Sequence, residues 1–157
     1  METVLALAAL SFGHERHDVA DLVLVGLLTG EWQALDDLVA RGLGLEAAWP
    51  GHVDAGELER ALTAFRYERR LIAAADLRGW LSERSLRLAD LDGVLRRQLL
   101  RARFAGVPCP VAAAPRVATV MRAEAMCSGA LTRCAAELRA WHAGCDWVAQ
   151  VRARAGR

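Results

Sequence analysis

Apolar residues in this chain recur at helical spacing, and almost nowhere at strand spacing. Trp32, Leu35, Leu38 and Val39 stand at i, i+3, i+6 and i+7, and Leu91, Leu95, Leu99 and Ala102 form a second stripe. Aromatic and β-branched residues are too sparse, and strict alternation too rare, to build a sheet. The pattern predicts an all-α fold, a single compact multi-helix domain over residues 1–157.

The amount of apolar material then needs a home. Hydrophobic residues make up 54% of the chain, and the mean hydropathy is +0.17. No uninterrupted apolar run approaches the roughly 18–20 residues a bilayer crossing requires, so a membrane is not expected as a partner. The excess belongs in a core or in an interface with another polypeptide. A formal net charge of +1 sets nucleic acid aside, because phosphate binding needs a basic patch. All 20 basic residues are arginine and Ile72 is the sole isoleucine, a bias typical of a GC-rich genome. Arginine abundance by itself therefore says little about chemistry.

Local signals divide the chain into helices. Val4 to Leu10 reads as a buried helix, since its acidic start lacks the basic region of a secretory signal. A cytoplasmic protein is expected on that basis, with Cys109, Cys127, Cys134 and Cys145 reduced. Asp18 caps a helix to about Leu28 that buries Val19, Leu22, Val23 and Leu27. Thr29 caps the next, which Gly42 and Gly44 stop. Trp49-Pro50-Gly51-His52 is a turn, and Asp54 with Glu57 makes a capping box. Ala74 to Glu83 is a short helix, and Leu88 to Phe104 a longer one exposing Arg96, Arg97, Arg101 and Arg103. Residues 106–115 hold three of the four prolines and form a loop. A C-terminal helical segment over 117–147 follows, helical to about Trp141, tolerating Gly129 and ending near Gly144.

Residues 32–104 carry a recognisable succession of elements. Leu38-Val39-Ala40-Arg41-Gly42-Leu43 ends a helix at a Gly-Leu step, and Asp54-Ala55-Gly56-Glu57-Leu58 opens the next. Phe65-Arg66-Tyr67-Glu68-Arg69-Arg70-Leu71, Leu77-Arg78-Gly79-Trp80-Leu81 and Ser85 to Leu100 complete the order. This succession resembles the helical N-terminal chaperone domain of SurA and related parvulin-type foldases. The remaining chain is too short for a parvulin isomerase domain, so isomerase activity is not implied. What the resemblance implies is an apolar groove that holds unfolded or extended peptide. Helper proteins that present a precursor peptide to tailoring enzymes in bacterial peptide natural-product pathways have a similar look.

The expected site follows from these readings. Phe65, Trp80 and Leu95 would line the groove, and Arg66, Arg69 and Arg70, with Tyr67 among them, would orient an acidic peptide segment. Of five tryptophans, Trp32 and Trp80 belong to the core, while Trp49, Trp141 and Trp147 are expected at the surface. The precursor or unfolded peptide is the expected partner, with a tailoring enzyme or a second copy as further candidates.

Catalytic constellations are thin. His14 and His17 share a helical face, but a zinc site needs two more ligands, and no metal or cofactor is expected. Cys127 and Cys134 are seven residues apart on one expected helix, and His142 lies three before Cys145 with Gly144 between them. Asp36-Asp37 and Asp90/Asp92 read as solvated carboxylates among arginines. The alternative function is a small helical tailoring enzyme, or the regulatory subunit of one, using His14, His17 or a cysteine.

Overall fold

The computed structural model describes residues 9–12, 15–108 and 118–155, with side chains over 17–108 and 119–145. Within them the chain forms β1 (Ala9–Phe12), β2 (Glu15–Asp18) and seven helices. These are α1 (Val19–Leu28), α2 (Glu31–Ala48), α3 (Ala55–Glu68), α4 (Ala74–Glu83), α5 (Leu88–Arg103), α6 (Ala118–Cys127) and α7 (Ala130–Ala155). The fold is all-α, with one two-stranded antiparallel hairpin ahead of it.

That hairpin corrects the expected first helix. Residues 4–8 and His14 lie outside the described residues, but Ala9 and Leu10 pair with Asp18 and His17 across the ladder. Their backbone groups find partners between strands instead of along a helix.

Local capping explains most helix starts. The Asp18 side chain accepts from the Ala20 N–H at 2.8 Å. Asp54 and Glu57 form the reciprocal capping box at α3, at 2.7 and 3.1 Å. Asp76 and Asp90 each accept from the backbone N–H three residues back, opening α4 and α5. The start of α2 departs from expectation, because Thr29 closes α1 and Gly30, at φ 78°, stands at the α2 N-cap.

Four glycines behave differently from their local reading. Gly42 and Gly44 do not stop α2, which runs on to Ala48. A Cβ at Gly42 would lie 2.8 Å from both the Arg97 Cδ and an Arg101 Nη, so glycine there makes room for side chains of α5. Gly129, at φ 82°, breaks the expected C-terminal helix into α6 and α7. Gly144 lies inside α7.

Helix α5 is central, packing against α2, α3 and α6, while α1 packs on α7 and α2. The main core gathers Leu22, Val25, Leu35, Leu91, Val94 and Leu131, all under 5% exposed. A smaller core of Leu45, Val53 and Leu100 sits under Trp49 and Phe104, whose rings stack at 4.4 Å. On α1, Leu22 and Val23 are buried but Leu27 faces outward. Trp32 and Trp80 are partly buried, Trp32 donating to the Val23 carbonyl at 2.7 Å. Trp49 is half-buried and Trp141 is exposed, and the Trp147 side chain lies outside the described set. On α7 the last buried side chain described is Leu138, and residues 139–145 are all exposed.

Candidate functional site

Two facing stripes on antiparallel helices build a trough. Ala61, Ala64, Phe65 and Glu68 stand at i, i+3, i+4 and i+7 on α3, and Leu95, Gln98, Leu99 and Ala102 repeat that spacing on α5. Small alanines on both walls keep the space open, and Phe65 and Leu95, both buried, form its floor. The open trough has a volume of about 480 Å³, within the range typical of ligand clefts.

Both ends are bridged. At one, Arg103 of α5 reaches Glu57 and the His52 carbonyl. At the other, Arg69 stacks its guanidinium 4.0 Å above the Phe65 ring and donates to the Cys127 carbonyl at 2.9 Å. Cys127 and Ser128, where α6 ends, complete this wall. Burial lowers the pKa of Arg69 despite nearby Glu68 at 3.7 Å.

The expected site residues therefore separate. Phe65, Arg69 and Leu95 meet in the trough. Trp80 packs edge-on behind Phe65 at 5.4 Å and supports the floor. Arg66 and Tyr67 face a separate hollow of about 110 Å³ with Thr63 and Ile72. The Arg66 fork is spent on the Leu71 and Ile72 carbonyls, where it shapes the α3–α4 turn. Arg70, at φ 57°, is exposed just beyond α3.

One charged cluster escaped the sequence reading. Glu124 of α6 is fully buried and accepts from Arg97 Nε at 2.8 Å and from Arg101 Nη1 at 3.2 Å. Arg97 is only 4% exposed and also approaches Glu46 at 3.6 Å. Burial pushes the Glu46 carboxyl above its ordinary pKa, against the pull of Arg97. Arg97 and Arg101 are thus buried or half-buried, not exposed as the spacing suggested. The signal was present, since Val94, Arg97 and Arg101 stand at i, i+3 and i+7 on the buried side of α5.

The cysteines also move. Gly129 puts Cys127 and Cys134 on different helices, both buried. Burial pushes their thiols up, to about 12 for Cys127 and about 11 for Cys134. Because α7 passes through Gly144, His142 and Cys145 share a face one turn apart, both exposed. Cys109 lies outside the described residues. Asp90 is held by Arg87 at 3.0 Å, which lowers its carboxyl pKa. Among the described residues no group of three His, Cys, Asp or Glu side chains is placed to hold a metal ion, and no helix is long and apolar enough to cross a membrane. No family model, curated protein or solved structure matches the chain.

Proposed function

We propose that this chain is a non-catalytic, chaperone-like peptide-binding protein. Its role would be to present a precursor peptide to tailoring enzymes of a bacterial peptide natural-product pathway. The observation that carries the reading is the α3/α5 trough, an open cleft of about 480 Å³ with an apolar floor and a mixed polar and apolar rim, walled by paired helical stripes. A ligand would insert two or three apolar side chains between Ala61, Ala64 and Leu99, and burial at ~25 cal/mol per Å² would drive association. Ordering the peptide offsets much of that gain, so micromolar affinity, about −8 kcal/mol, is expected.

The test is calorimetric titration with precursor peptides encoded beside the gene, using wild type and Ala64→Trp. Ala64 is exposed on the trough wall, so the larger side chain fills the cleft without entering the core. Wild type should bind, and the variant should lose at least tenfold in affinity (about 1.4 kcal/mol). Equal binding by both proteins, or none by wild type, rejects the trough.

One observation favours the enzyme reading, the placement of His142 one turn before Cys145 on a single exposed face. Among the described cysteines a thiol-directed catalyst would have to work there, because Cys127 and Cys134 stay protonated near neutral pH. Iodoacetamide at pH 8 should label Cys145 in the native protein and spare Cys127 and Cys134. If Cys145→Ser abolishes the cellular role while the fold stays intact, the enzyme reading replaces the binding one.

A further inference from the structure

We infer that the trough captures the C-terminal carboxylate of its peptide, with Arg69 and Ser128 as the receiving donors and the preceding apolar residues lying between α3 and α5. The inference rests on the peptide-binding reading and adds the end of the ligand and its orientation.

Three features converge on it. The first is an asymmetry of charge. Of the arginines expected at the groove, Arg69 alone lines the trough, since the Arg66 fork is closed on two carbonyls and Arg70 lies beyond the helix. The guanidinium of Arg69 is held flat by the Phe65 ring, with its side chain 28% exposed. One Nη is engaged by the Cys127 carbonyl, and its carboxylate partner among the described residues is Glu68 at 3.7 Å, whose side chain is 74% exposed. Such an exposed pair is weak. A ligand carboxylate arriving from the apolar side would meet a cation already partly stripped of water, where a charge-assisted bond is stronger than in solvent.

A second donor stands beside it. Ser128 lines the same end, and its Oγ accepts from the Ala130 N–H at 3.4 Å, which leaves the hydroxyl proton to donate. Gln98, exposed on the opposite wall, can add an amide N–H.

The third feature decides between a chain end and an acidic side chain. Arg69 reaches from α3 to the last residue of α6 and so spans the trough at this end. A peptide lying in the trough meets that bridge head-on and cannot continue past it in the plane of the floor. A terminal carboxylate fits such a stop, because nothing follows it. Glu68 at the rim opposes any anion, so the apolar contacts must supply part of the affinity.

The experiment uses three fluorescein-labelled decapeptide pools, random except for three apolar residues at the end. One pool ends in a free carboxylate, one in an amide, and one in an amide after an added Glu. Fluorescence polarisation with the full chain should show the acid pool binding at least tenfold tighter than the amide pool, with the Glu-amide pool close to the amide. Arg69→Gln should bring the acid-to-amide ratio near one. Because Arg69 also ties α3 to α6, Ser128→Ala serves as a milder variant and should lower the ratio about threefold while circular dichroism stays unchanged. Equal binding of acid and amide by wild type overturns the C-terminal inference and leaves peptide binding standing. A Glu-amide pool matching the acid pool overturns it in favour of an acidic side chain. Absence of binding by every pool overturns the inference and the peptide-binding reading together.

Discussion

Two arginine sites on this molecule use the same side chain to opposite ends. Around Glu124, Arg97 and Arg101 close on a fully buried carboxylate, with Glu46 balancing the charge. At the trough, Arg69 has an aromatic ring beneath it, one carbonyl, a weak exposed carboxylate, and open space on its remaining side. The first cluster is saturated and joins α2, α5 and α6 in one arrangement. The second keeps one weak, exposed carboxylate partner, and a guanidinium bordering an open cleft is what a ligand can use. Burial of charge reads as architecture when every partner is present, and as a site when one is weak and exposed.

The comparison is sharpest where carboxylates are removed. Glu124→Ala leaves two guanidinium groups facing an empty buried space, and should cost about 3–5 kcal/mol of unfolding free energy. Chemical denaturation followed by circular dichroism measures it. Glu68→Ala at the trough rim should stay within about 0.5 kcal/mol, as exposed substitutions do. A similar loss at both positions would break the distinction between the two clusters.

A smaller effect probes the same contrast through backbone. Gly42→Ala pushes a methyl group against the Arg97 and Arg101 side chains, and overpacking of this kind should cost about 1–3 kcal/mol. Melting temperatures of Gly42→Ala and Gly79→Ala report it, because a Cβ at Gly79 meets nothing within 4 Å. Helix propensity alone would make both changes stabilising, so a stabilised Gly42→Ala would show that the arginine cluster yields freely.

These residues also mark what could be read beforehand. The start of α3 was legible because Asp54 and Glu57 act within one helical turn, and the spans of α4 and α5 because the apolar stripes repeat at fixed spacing, whereas the capping roles of Asp76 and Asp90 were not read. Phe65, Arg69 and Leu95 were legible as a set for the same reason, lying on the stripes of two helices. Gly42 and Gly144 were misread as helix ends and Gly129 as a tolerated interruption, since a glycine alone does not say whether it ends a helix or admits a neighbour. That is decided by side chains distant in sequence, such as Arg97 against Gly42. The Glu124 cluster was passed over although Arg97 and Arg101 follow Val94 at buried-face spacing, because arginine and glutamate count as surface residues until their partners are placed. Arg66 looked like a docking residue because its carbonyl partners at Leu71 and Ile72 depend on a turn that residue types alone do not specify.

The passage of α7 through Gly144 has a consequence for how the molecule opens. Twenty-six residues of helix, ~39 Å at 1.5 Å per residue, are anchored by buried side chains only as far as Leu138 among those described. Tertiary packing supplies most helix stability, and residues 139–145 present only exposed side chains. Opening free energy should therefore fall along a single helix, from near the global value around Leu131 to little around Cys145. The segments before and after Leu138 are continuous in backbone geometry and are expected to open separately. Local opening would then begin at Trp141 to Cys145 and stop where Leu138 meets the core.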